Sequence, residues 1–113
     1  MKFTFSISLL IIILVFHSCK GEVADPKIEC TDNSKYSSDI KPIVNNRCSM
    51  SGCHNSGSKN GDFTTYAGLK SKAENGTLRE RIVIKKDMPS GNPLSDADIA
   101  KFECWIKDGA LEN

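Results

Sequence analysis

The chain has 113 residues, of which 15 are basic and 14 acidic, for a formal charge of +1. So even a balance gives no electrostatic hold on a polyanion and argues against a nucleic-acid binder. The length permits one small domain, and neither an internal repeat nor a low-complexity segment divides it.

Lys2 precedes an unbroken, mostly apolar run from Phe3 to Phe16. The run is short for a bilayer crossing and suits the hydrophobic region of a signal peptide, so residues 1–18 are expected to direct export. His17, Ser18 and Cys19 follow at once and resemble the lipobox of bacterial lipoproteins, in which cleavage leaves an acylated cysteine as the first residue. The resemblance implies that Cys19 is a lipid anchor, holding the protein at the periplasmic or cell-surface face of a bacterial membrane. The alternatives are an ordinary cleaved signal peptide and an uncleaved anchor. Residues 19–35 are polar and read as a tether, leaving 36–113 as the folded domain. A domain of roughly 80 residues usually needs a staple beyond its apolar core.

Ser37 or Ser38 is the expected cap of a first helix in which Ile40, Ile43 and Val44 fall at helical spacing and Pro42 lies in the first turn. That helix runs into Cys48-Ser49-Met50-Ser51-Gly52-Cys53-His54. Two thiols followed by a histidine are what covalent haem attachment requires: each thiolate adds to one vinyl group, and the next residue brings its imidazole beneath the iron. The usual signature has two residues between the thiols and this one has four, so the extra length must bulge outwards, which Ser49, Ser51 and Gly52 permit. The expected cofactor is one covalent haem c on Cys48 and Cys53, with His54 as an iron ligand. Two other readings of these residues stay open: a zinc site completed by Cys30 or Cys104, and simple disulfides.

From Thr65 to about Lys85, Tyr66, Leu69 and Ala73 share one helical face, Asn75-Gly76 interrupts, and Leu78, Ile82 and Val83 resume, which predicts two short helices. Met88 follows, 34 residues after His54 and just before Pro89-Ser90-Gly91. A loop stiffened in this way suits a soft thioether offered to the far side of the iron. Met50 is a rival but sits between the two cysteines; Lys85 and Lys86 are weaker rivals. The loss of His17 with the signal peptide leaves His54 as the only histidine, so two-histidine ligation within one chain is excluded. The final helix is the clearest, with Ser95 as cap, Asp96 and Asp98 at its positive end, Ile99, Phe102 and Ile106 in one stripe, and Gly109 as terminator. No segment alternates as a strand, so the expected class is all-α, with three to five helices.

Cys30 and Cys104 remain, and in an oxidising compartment two spare thiols are expected to pair; two independent free thiols are the alternative. Trp105 reads as core packing. Lys70, Lys72, Lys85 and Lys86 suggest a docking face for an acidic redox partner, but the interspersed Glu74, Glu80 and Asp87 favour a solvated surface.

The order of these landmarks resembles the small class I cytochrome c domains of exported bacterial proteins. The matching positions are Tyr36, Asp39-Ile40, Pro42-Ile43, Cys48 to His54, Met88-Pro89, Leu94-Ser95-Asp96, Ile99, Trp105-Ile106 and Gly109-Ala110. The resemblance implies a helical cytochrome c-like fold around the haem, crossed first and last helices, His54 as proximal ligand and Met88 as the distal one. It implies a non-enzymatic single-electron carrier with protein redox partners. A haem-based sensor or ligand binder, and a haem-free zinc- or disulfide-stapled interaction module, are the other readings.

Overall fold

Pro42 decides how the first helix is built. It has no N–H to give, and in a regular helix its ring would collide with the carbonyl four residues back. In the computed structural model, which describes residue 21 and residues 23–113, the chain enters through a π-type turn, Tyr36–Ile40, and then tightens into α1 (Lys41–Arg47). The wider turn sends the Ile40 N–H to the Lys35 carbonyl at 3.2 Å and leaves Pro42 in the first turn of α1, where its missing donor costs little. The expected signal peptide, residues 1–18, and the expected lipid anchor Cys19 lie outside the described residues.

Neither Ser37 nor Ser38 caps this helix, contrary to the sequence expectation. Lys35 stands at the cap position without a side-chain bond, and the Asp39 carboxylate accepts the Lys35 N–H at 2.9 Å. The N–H groups of Tyr36 and Ser37 donate to the side chain and carbonyl of Asn113, at 2.8 and 2.9 Å. Acceptors arriving from the other end of the chain satisfy donors that a serine would otherwise have to turn back to meet.

The remaining helices begin and end where local chemistry directs. Thr65 caps α2 (Tyr66–Glu74), its hydroxyl accepting the Gly68 N–H at 3.2 Å. Asn75 and Gly76, the latter at φ +79°, break the helix before α3 (Thr77–Arg79), which widens without interruption into a π-type stretch, Glu80–Ile84. Ser95 caps α4 (Asp96–Lys107) by accepting the Asp98 N–H at 3.2 Å. Beyond α4, Gly109 and Ala110 turn left-handed. The Ala110 N–H reaches the Trp105 carbonyl at 2.8 Å and the Gly109 N–H that of Ile106 at 3.1 Å, the paired bonds of a Schellman cap. No strand occurs among the described residues, so the class is all-α.

The core draws Ile40 and Val44 from the first helix, Leu69 from α2, Ile82 and Val83 from the stretch after α3, and Ile99, Phe102 and Trp105 from α4. α4 packs against both the start of the first helix and the π-type stretch after α3. Trp105 is fully buried, stacks on Tyr36 at 5.9 Å and donates its indole N–H to the Leu111 carbonyl at 2.9 Å. Tyr66 meets Tyr36 edge-on at 5.0 Å and donates its hydroxyl to the Ala110 carbonyl at 2.7 Å. These contacts make Trp105 a packing residue.

The segment before the domain is held to it from Asp25 to Cys30. Asp25 pairs with Arg79, Ile28 packs against the core while its carbonyl accepts from Lys107 Nζ at 3.3 Å, and Cys30 is bridged to Cys104 with Cα atoms 5.4 Å apart. A link spanning 74 residues removes about 4.5 kcal/mol of chain entropy from the unfolded state. Beside it lies a buried ion pair. Glu103 is fully buried in α4; Arg79 grips both its carboxylate oxygens at 2.8 Å, and Lys107 adds a third contact at 3.0 Å. Burial pushes the Glu103 carboxyl up, but the hydrogen bonds and charges of Arg79 and Lys107 win and hold it below the usual carboxylate range.

Gly68 lets the loop before α2 pass against the helix. A Cβ there would sit 1.7 Å from the Asp62 carbonyl oxygen, a backbone atom that moves only with its loop. Alanine is worth about 1 kcal/mol over glycine inside a helix, whereas overpacking against backbone costs about 3 kcal/mol. Gly68→Ala is therefore expected to lower stability by about 2 kcal/mol in denaturant unfolding; an unchanged or raised stability would show that the loop yields freely.

Candidate functional site

The end of α1 turns directly into the two-cysteine loop. The N–H groups of Cys48 and Ser49 both donate to the Val44 carbonyl at 2.9 Å, ending the helix. The Cys53 N–H reaches the Met50 carbonyl at 3.0 Å, and the His54 N–H returns to the Cys48 carbonyl at 3.0 Å, closing the loop on itself. The bulge this requires passes through Gly52 at φ +81°, a conformation in which glycine meets no steric penalty, with open space around its Cα. Cys48 is buried and Cys53 exposed, and both thiols are free. Burial pushes the Cys48 thiol up to about 11, so it is protonated at neutral pH.

The segment after the loop holds His54. Its Nδ1–H donates to the Gly61 carbonyl at 3.2 Å, and its backbone carbonyl accepts the Phe63 N–H at 2.9 Å. The Nδ1 bond selects the tautomer whose Nε2 carries no hydrogen, the form in which an imidazole can ligate a metal. The Phe63 ring lies against the imidazole, centroids 4.0 Å apart and planes 8° from parallel.

Met88 comes from the loop between the π-type stretch Glu80–Ile84 and α4, and that loop is tied down on both sides of it. The Asp87 N–H donates to the Arg81 carbonyl at 3.1 Å, and the Asp87 carboxylate accepts from Arg81 Nε at 2.6 Å. Lys86, left-handed at φ +52°, pairs with Asp96 at 3.0 Å. On the far side, Arg47 donates to the Asn92 carbonyl at 2.9 Å, linking the end of α1 to the methionine loop.

These elements enclose one cavity of about 560 Å3, and Cys48, Cys53, His54 and Met88 all line it. The size falls within the range of about 300–1,000 Å3 typical of small-molecule and cofactor sites. Leu78, Ile82, Phe63 and Pro89 supply apolar wall, while Arg47, Lys59, Lys72 and Arg81 bring four cations, and among the described residues no carboxylate lines it. Met50 lines the cavity as well, at 49% exposure, so it is nearer the site than its place between the cysteines suggested. Lys85 and Lys86 do not line it; they are exposed and paired with Glu80 and Asp96. Of the four lysines considered for a docking face, Lys72 alone lines the cavity, and Lys70 is engaged with Glu74 at 3.7 Å.

The other reading of the cysteines, a zinc centre completed by Cys30 or Cys104, is not assembled, because those two residues are bonded to each other. Among the described residues no group of three His, Cys, Asp or Glu side chains is arranged to hold a metal ion. Gly61 and Phe63 escaped the sequence reading, because they lie in a polar loop without periodicity. The chain matches no family model, no curated protein and no solved structure.

Proposed function

We propose that the protein is an exported, lipid-anchored single-electron carrier with one haem c, of the class I cytochrome c kind. The observation that carries this reading is the convergence of Cys48, Cys53, His54 and Met88 on one cavity, although Met88 lies 34 residues beyond His54. The residues present fit the group: two free thiols for covalent attachment, an imidazole in the ligating tautomer, a soft thioether, apolar wall for a macrocycle and cations for its carboxylates.

A haem bound there supplies reversible one-electron exchange at its iron. Cys48 and Cys53 would hold it through thioether bonds, and His54 Nε2 and the Met88 sulfur would be its iron ligands. With both iron ligands supplied by the chain, no substrate would reach the metal, and the protein would act as a carrier and not a catalyst. Phe63, Leu78 and Ile82 give that region apolar wall, and a soft sulfur ligand together with imidazole would favour the reduced state and raise the reduction potential.

The test is expression of the full chain in a periplasm supplied with haem-maturation machinery, followed by intact mass and visible spectra before and after acid denaturation. Haem mass and colour retained on the denatured polypeptide, with a sharp reduced α-band, are the expected result. A colourless protein without added mass would overturn the reading and return the disulfide-stapled module to the front.

A further inference from the structure

An imidazole turns about two side-chain bonds, and rotation about the outer one is soft, so a histidine that must present one nitrogen in one plane needs contacts from outside. His54 takes such contacts from Gly61 and Phe63. The Gly61 carbonyl accepts from Nδ1 at 3.2 Å and so directs the ring, but leaves it free to tilt about the hydrogen bond. The Phe63 ring lies flat on the imidazole at 4.0 Å and 8°, which removes the tilt. The Phe63 N–H bonded to the His54 carbonyl at 2.9 Å ties together the backbones that carry the two rings.

A near-parallel stack with centroids 4.0 Å apart fits the offset contact that aromatic pairs favour, so the phenyl face itself holds the imidazole parallel to it. Phe63 is itself buried in the core and cannot swing away. Gly61 completes the arrangement at φ +115°, where a Cβ would lie 3.1 Å from the Phe63 ring and 3.0 Å from the Lys72 side chain. Only glycine lets the accepting carbonyl and the phenyl edge come together without strain.

We propose that Phe63, seated against Gly61, is a positioning residue that sets the plane of the His54 imidazole and through it the axial field at a haem iron. This rests on the haem reading above. The plane of an axial imidazole governs its π-overlap with the metal, and in a ferric low-spin haem the order and spread of the four haem-methyl proton resonances report it directly.

The experiment compares the full-length, haem-matured wild type with F63L and F63Y by intact mass and by proton NMR of the ferric form. All three are expected to carry haem. In the wild type the Phe63 ring protons should be displaced from their ordinary positions by the nearby iron. F63L should change the order or spread of the haem-methyl resonances, and F63Y, which keeps the flat ring, should restore the wild-type pattern. A haem-bearing F63L with the wild-type pattern would overturn the positioning role while leaving the haem reading intact. Phe63 ring protons at undisplaced positions in the wild type would do the same, and this arm decides the matter if F63L fails to fold. A wild-type chain recovered without haem would overturn both.

Discussion

Met88→Ala protein is expected, on the proposed haem reading, to keep haem through acid denaturation yet lose the methionine-to-iron absorption, with its reduction potential lowered by on the order of 0.1 V, part of the span of about 0.8 V that axial ligands command. On that reading attachment would depend on Cys48 and Cys53, which lie in a loop closed by its own hydrogen bonds, so removal of a distant thioether would leave it untouched. The loop that carries position 88 is pinned through Asp87, Lys86 and Asn92, and the shortened side chain has no slack with which another loop residue could replace it. The vacated axial position should then accept a small ligand such as imidazole, read as a spectral shift absent from the wild type. An unchanged visible spectrum in the variant would sink the Met88 assignment and turn attention to Met50, the other thioether on the cavity.

Arg79→Ala should lower stability at neutral pH by about 3 kcal/mol, the cost of leaving a buried carboxylate short of its main partner. Glu103 has no exposed surface, and after the change only Lys107 would remain beside it. The pH dependence gives the more discriminating result. In the wild type the Glu103 carboxyl is held below its ordinary value, so its contribution is full above the unfolded carboxyl value of about 4.3 and is lost as pH falls through the folded one. In the variant burial prevails and raises the folded value, so proton uptake at mildly acid pH relieves the buried charge. The stability gap between the two proteins should therefore be widest near pH 7 and narrow towards pH 4, followed by denaturant unfolding with the Cys30–Cys104 bridge intact. A gap independent of pH would mean that Arg79 acts through packing alone.

How far the sequence could be read depended on whether each feature was local. α4 was legible because Ser95, the Ile99 and Phe102 stripe and Gly109 all lie within or beside it, and the break at Asn75-Gly76 declares itself in two residues. The start of the first helix was not, since its donors are satisfied by Asn113, 77 residues from Tyr36, and nothing near Ser37 betrays that. The same contrast runs through the site. The residues of the two-cysteine motif and Met88 stand out by chemical type and spacing. Gly61, Phe63 and Gly68 matter because of what folds against them: an imidazole, a phenyl edge and the Asp62 carbonyl. Likewise Asp25 and Ile28 sit in a stretch whose polarity reads as a free tether, and their attachment to Arg79 and the core appears only when the helices are in place.

Every residue lining the cavity, from Arg47 to Ser90, lies between Cys30 and Cys104 in sequence. The site is thus carried on a covalently closed ring, and the ring makes it tolerant of a nick. A protease that cuts one peptide bond in the largely exposed stretch 56–60 would produce two fragments still joined by sulfur, each bearing part of the site. The nicked protein would migrate as one species until a reductant parted it, and the fragment holding Cys48, Cys53 and His54 would be separated from the one holding Met88 only at that point.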